Sequence, residues 1–214
     1  MTMKYEAKII GINPIWITIL LMGAFLIICA SGGDNVDWGY LGFEVIFPFY
    51  LSIAIAEWCQ TRTDMMFDIV SLYGKSVFIW IIKRFLLLFG TISIFLCLGI
   101  IGVTFIKSNI SVLNLISAFL PTAFFLSSVC VFISLLSDIP HIATMIIGVL
   151  WLFSIMTMSL LRFTAVQYFY LFVRYAGINN DIWVINKLIL LSIGLSLWVG
   201  IYLFCKKRIW SYQK

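Results

Sequence analysis

The sequence predicts an all-α, polytopic integral membrane protein with six transmembrane helices, and three observations carry that prediction. Of the 214 residues, 63% are hydrophobic and only 11% are charged, whereas a soluble domain is about 45–50% apolar and about 25% charged. A soluble fold of this length lacks the interior volume to hide so much apolar side chain. The apolar residues also fall into six long runs, most of them close to the roughly 20 residues that a bilayer-crossing helix requires. Most of the charged residues lie between those runs.

The first run, 15–31, follows Pro14, which suits the opening turn of a helix, and ends in the loop signal Ser31-Gly32-Gly33-Asp34-Asn35. Lys4 and Lys8 precede it and no clear small-residue cleavage site follows, so it reads as a retained span and not as a signal peptide. The second run, 40–57, starts beside Trp38 and Tyr40, which have the character of interfacial anchors. The third, 85–106, closes at Lys107-Ser108-Asn109 after a long charge-rich connection from Glu57 to Arg84. The fourth, 112–136, contains Pro121 and is joined by the tight Ser137-Asp138-Ile139-Pro140-His141 turn to the fifth, 142–161. The sixth, 183–205, is stopped by Lys206-Lys207-Arg208. Residues 1–214 read as one transmembrane domain, without repeats or low-complexity tracts.

Six spans place both termini on one side. Lys4, Lys8, Arg62, Lys75, Lys83, Arg84, Lys206, Lys207, Arg208 and Lys214 fall on that side, and Lys107, Arg162, Arg174 and Lys187 on the other. Basic residues concentrate on the cytoplasmic side of membrane proteins, so cytoplasmic termini are expected, in a multi-pass protein of a plasma membrane, bacterial in character. The same scatter argues against nucleic acid as a partner, since a net charge of +5 divided among separate loops makes no continuous patch.

Enzyme chemistry finds little footing. Cys29, Cys59, Cys97, Cys130 and Cys205 are odd in number and dispersed, which suits neither a disulfide framework nor a metal cluster. His141 is the single histidine, so no two-histidine metal site can form within one chain. Gly74-Lys75-Ser76 imitates the end of a phosphate-binding loop, but the glycine required five residues earlier is Ile69. No serine or cysteine has a histidine beside it at membrane depth, and no span carries an aspartate well inside it. The chain is expected to be no enzyme and to hold no metal or cofactor of its own.

Two connections carry more information than ordinary loops. After Glu57, Arg62 and Thr63 lead into a segment in which Thr63 suits an N-cap and Asp64 the first turn of a short helix. Met66, Phe67 and Val70 share one face of it, and Gly74 is a plausible stop. That pattern fits a helix resting on headgroups and equally one docking into a cytoplasmic partner. The second connection, Arg162 to Ile182, holds Phe163, Tyr168, Phe169, Tyr170, Phe172, Arg174 and Tyr175, an aromatic load poorly placed in water. A re-entrant outer segment between spans five and six buries it better than a plain interfacial belt does.

Within the spans, Glu44 lies four residues before Pro48, near the outer end of span two, and Lys187 near the outer end of span six. Each reads either as an interfacial residue or as a contact in a translocation path or dimer seam, since intramembrane ionisable groups are functional candidates. In span four, Asn114, Ser117, Pro121 and Ser128 share a face, with Ser127 and Ser134 beside it, which fits helix packing better than a pore lining.

The order of a short inner stub, two spans, an amphipathic inner segment, three spans, a membrane-dipping outer segment and a final span resembles the permease subunits of the type-two exporter family of ABC transporters. The local match is Glu57 followed by Arg62 and Thr63, then Ser71, Gly74 and Lys75 in the turn into span three. The Gly-Thr pair common in the family is Arg62-Thr63 here, and the proline often found in the following turn is absent. The resemblance implies a coupling helix formed by Thr63, Asp64, Met66, Phe67 and Val70, supported by Glu57 and Arg62. It also implies a separate cytoplasmic ABC ATPase subunit that binds ATP and Mg, and a second permease, the same chain or a relative. Aromatic and aliphatic side chains dominate every span, so the expected cargo is hydrophobic or amphipathic: a peptide, a lipid-like molecule or an antibiotic, exported for resistance or self-immunity. The rival readings are a six-span substrate-capturing subunit of a vitamin importer and a non-transporting immunity or scaffold protein.

Overall fold

A computed structural model describes residues 12–31, 37–58, 77–106, 110–137, 139, 141–178 and 181–212, and it is all-helical there, with no strand among the described residues. Six helices are long and apolar enough to cross a membrane: α1 (Asn13–Ser31), α2 (Trp38–Trp58), α3 (Val77–Ile106), α4 (Val112–Leu136), α5 (Ile142–Arg162) and α6 (Ile182–Lys206, its helix continuing to Tyr212). The chain is a multi-pass membrane protein by this architecture. Their bounds follow the apolar runs closely except at α3, whose helix starts at Val77 and not at Phe85. Lys83 and Arg84 therefore belong to the helix. Arg84 is only 2% exposed, and its guanidinium lies 4.1 Å from the centre of the Trp80 ring. The ring attracts the guanidinium and offsets part of the cost of burying it within the helix.

The centre of the bundle is α4, which packs mainly against α6 and α2, while α1 lies on α3. Small residues set these seams. At Gly194 of α6 an added Cβ would come within 2.8 Å of the Phe124 ring, so the absent side chain is what lets α6 approach α4. Phe85, Phe89, Phe124 and Trp198 fill the corner between α3, α4 and α6, with Phe85 and Trp198 ring centres 4.7 Å apart. Trp198 also donates its indole N–H to Ser128 Oγ at 3.1 Å. A second aromatic group, Phe25, Phe43, Phe47 and Phe119, joins α1, α2 and α4 through edge-on and tilted contacts. By contrast α5 is the least buried of the six.

Helix α2 is not uniform. Residues Leu41–Ile46 form a π-helical stretch in which the Phe47 N–H bonds to the Gly42 carbonyl. Pro48 supplies a local cause: it has no N–H for the carbonyl of Glu44, and its ring crowds that carbonyl in a regular α-helix. Widening the preceding turn relieves both problems. The Trp151 indole N–H of α5 then donates to the Val45 carbonyl at 3.0 Å, within the widened stretch. Gly42 faces the Phe25 ring so closely that an added Cβ would lie 2.1 Å from it.

Candidate functional site

The site lies at the end of the bundle where α2, α4 and α6 begin. Glu44 has 0% exposure and Lys187 4%. They are 143 residues apart in sequence, and Lys187 Nζ sits 2.5 Å from Glu44 Oε1. Lys187 also donates to Thr122 Oγ1 at 2.8 Å and to the Leu171 carbonyl at 3.0 Å. An ammonium has three donors, so each N–H meets an oxygen. Glu44 in turn accepts the backbone N–H of Arg174 at 3.2 Å and that of Tyr175 at 2.5 Å.

The arrangement has a plain physical cause. A buried charge is tolerated only when paired and hydrogen-bonded, and the α5–α6 connection supplies what the pair lacks. Its backbone is irregular: after the short helix Thr164–Gln167 it proceeds in turns to Ile178. Tyr170, Leu171, Phe172 and Val173 are nonetheless buried, Phe172 and Val173 completely. Buried peptide groups that make no helical bond must find other partners. Besides Glu44 and Lys187, Asn186 provides them: its Nδ2 lies 3.0, 2.9 and 2.9 Å from the carbonyls of Gln167, Tyr168 and Tyr170. The Gln167 amide continues the chain of bonds to the Leu161 carbonyl at 2.7 Å. Arg174 donates to the Tyr40 hydroxyl at 2.8 Å and sits about equally near the Tyr40 and Trp183 rings, 4.9 and 5.0 Å. Burial, and then the charge of Glu44, push the Tyr170 phenol up to about 12, so it stays neutral in any physiological setting.

Of the sequence-predicted residues, the structure brings Glu44, Tyr170 and Arg174 together. Glu44 and Lys187 reach no aqueous interface; they meet each other. Ser117, Pro121 and Ser128 lie on α4 outside this cluster. The half-buried Ser117 hydroxyl bonds the Asn114 carbonyl, Pro121 is buried, and Ser128 fastens α6 through Trp198. Tyr168 is half-buried and contributes its carbonyl, whereas the Phe163 side chain is 64% exposed. Thr122 and Asn186 belong to the site and were not singled out by sequence. Thr122 follows Pro121 directly, and Asn186 is an amide inside an apolar span, which was the available signal.

At the opposite end Glu57 closes α2. Its carboxylate meets His141 Nδ1 at 3.0 Å and the Thr144 hydroxyl at 2.7 Å, tying α2 to the start of α5. His141 holds a left-handed backbone, φ 61°. The other residues of the predicted coupling helix, Arg62, Thr63, Asp64, Met66, Phe67 and Val70, lie outside the described residues. No three His, Cys, Asp or Glu side chains converge among the described residues in a way that would hold a metal ion.

Comparison of the chain with family models, with curated proteins and with solved structures finds no match. What can be said of its activity therefore rests on the residues and their geometry.

Proposed function

We propose that this chain is the membrane-spanning permease subunit of an ATP-driven exporter of the ABC type-two kind. It would work beside a second permease and two cytoplasmic ATPase subunits that carry the ATP and Mg. The observation that carries the reading is the α5–α6 connection, whose Tyr170–Val173 stretch is buried against the spans instead of lying open at the bundle end. A segment re-entering from the outer face, between the fifth and sixth of six spans, is what such a permease is expected to have. The tie from Glu57 to His141 and Thr144 supports the reading at the other end, because it gives a firm base to the charged connection after α2. On this reading the termini are cytoplasmic, and residues Thr63 to Val70 dock into the ATPase, with Met66 and Phe67 as the apolar contact.

The cargo proposed is hydrophobic or amphipathic. Glu44 and Lys187 neutralise each other inside the protein, and the spans otherwise present aliphatic and aromatic surface. The same pairing favours export over the vitamin-capture alternative, in which polar groups near the outer face stay available to a ligand.

The test is gentle purification of the full chain from its native membrane, with mass spectrometry of what accompanies it. A soluble ATPase in equal amount, lost on Phe67→Asp while membrane insertion persists, is the expected result. Recovery of the chain alone, or with membrane partners only, would overturn the ATP-driven reading and leave the immunity or scaffold alternative standing.

A further inference from the structure

Among the described residues, side chains of two helices bond the backbone of the α5–α6 connection. Asn186 shares its two N–H donors among three carbonyls, Lys187 donates to the Leu171 carbonyl, and Glu44 accepts the N–H groups of Arg174 and Tyr175. Two of these side chains sit next to each other on α6, a regular helix. The third sits on the π-helical stretch of α2, and the two sets are closed into one ring by the Glu44–Lys187 pair. The connection has little regular secondary structure of its own, and its flanks, Phe163 and Phe169, are 64% and 65% exposed. Beyond the burial of Tyr170–Val173, these side-chain bonds are what an opening must break, and connections without regular secondary structure open below the free energy of global unfolding.

A π-helical turn is a second distinct feature, because it holds one residue more than the α-helix it interrupts and such turns recur at functional positions. Tightening Leu41–Ile46 into α-helix shifts the register by one residue. In an α-helix that is a rotation of about 100°. Glu44 would swing with it, away from Arg174 and Tyr175, and the connection would lose the carboxylate that accepts those two amides in the present arrangement.

We propose that the π turn of α2 and the Glu44–Lys187 pair form a latch, with a second, open state in which the α5–α6 connection is lifted off the end of the bundle. In the closed state Glu44 secures the amide side of the connection and Lys187 its carbonyl side. In the open state the π turn has tightened, Glu44 is withdrawn, and water reaches Lys187 and, beyond it, Thr122 in the middle of α4. The closed state is preferred because opening strands the Lys187 charge until water arrives and presses the Glu44 carbonyl back against the Pro48 ring. The latch does not rest on coupling to ATP, and it can fail while the exporter reading stands.

Hydrogen exchange read by mass spectrometry on the full chain in nanodiscs tests it. In the natural sequence, the amides of residues 171–175 should exchange faster than the buried amides of α4, through an opening of their own. Lys187→Met should speed exchange in that peptide at least about tenfold, since it leaves Glu44 without its counter-charge, and by a clearly larger factor than in α4, which feels only the general loss of stability. Pro48→Ala keeps both charges and returns the N–H that lets α2 close as α-helix, so it should also speed exchange in residues 171–175 alone. It serves as the readable variant if Lys187→Met does not fold. Exchange of 171–175 at the rate of α4 in the natural chain overturns the latch, as does a rise shared equally by α4. A Pro48→Ala chain with unchanged exchange overturns the π turn as its hinge.

Discussion

Changing Lys187 to Met removes the counter-charge of a carboxylate with no exposed surface. Breaking a buried pair from one side costs about 3–5 kcal/mol, whereas replacing both partners with apolar or neutral groups is often close to neutral. The single variant should therefore lower the unfolding temperature in detergent sharply, and Glu44→Gln with Lys187→Met should recover much of the loss. A double variant as unstable as the two single losses added together would mean that the pair does not carry that energy. Asn186→Ala strips three carbonyls of their shared donor, at about 1–3 kcal/mol, and limited proteolysis should then cut first between residues 163 and 178. At this scale the sequence was half legible. Glu44 and Lys187 were visible as charges in apolar runs, but nothing in their positions, 143 residues apart, announced that they meet. A lone sequence shows where a charge is unusual and not what satisfies it. The contribution of Asn186 was hidden because its partners are backbone carbonyls, which every residue has.

Among the helices, the seam between α4 and α6 depends on an absent side chain. Gly194→Val places atoms 2.8 Å from the Phe124 ring and 3.5 Å from the Phe125 Cα, and overpacking of that kind costs about 1–3 kcal/mol. Gly148→Ala on α5 meets nothing within 4 Å and should gain up to about 1 kcal/mol through helix propensity. Thermal unfolding of the two variants side by side separates a packing glycine from a tolerated one; equal shifts would show that Gly194 does not set the seam. The spans themselves were legible because hydrophobic length is a one-dimensional signal. The start of α3 was not, since Lys83 and Arg84 read as loop until Trp80 is seen beneath the guanidinium. The π turn was equally hidden: Pro48 announced a disturbance of α2 but not which turn would widen.

For the molecule as a whole, the proposed orientation makes a direct prediction about sidedness. An impermeant thiol reagent applied to intact cells should label Asn35→Cys and spare Gln213→Cys until the membrane is opened; the reverse pattern would invert the topology. The aromatic connection between α5 and α6 was legible as a segment unsuited to water, but which aromatics turn inward was decided by the tertiary fold: Phe172 is fully buried and Phe169, three residues away, is 65% exposed. The ion pair also bears on how the chain is made. Synthesis delivers Glu44 with the second helix and Lys187 only with the last, so through most of translation the carboxylate has neither its lysine nor the two amides that bind it. When α6 arrives it brings a lysine into the membrane at a cost of up to about 2.5–3.5 kcal/mol, which the waiting carboxylate offsets. The second helix thus helps to seat the last, and a nascent chain halted before Asn186 and Lys187 would carry an unmatched charge and unfilled carbonyls at the outer end of an otherwise packed bundle.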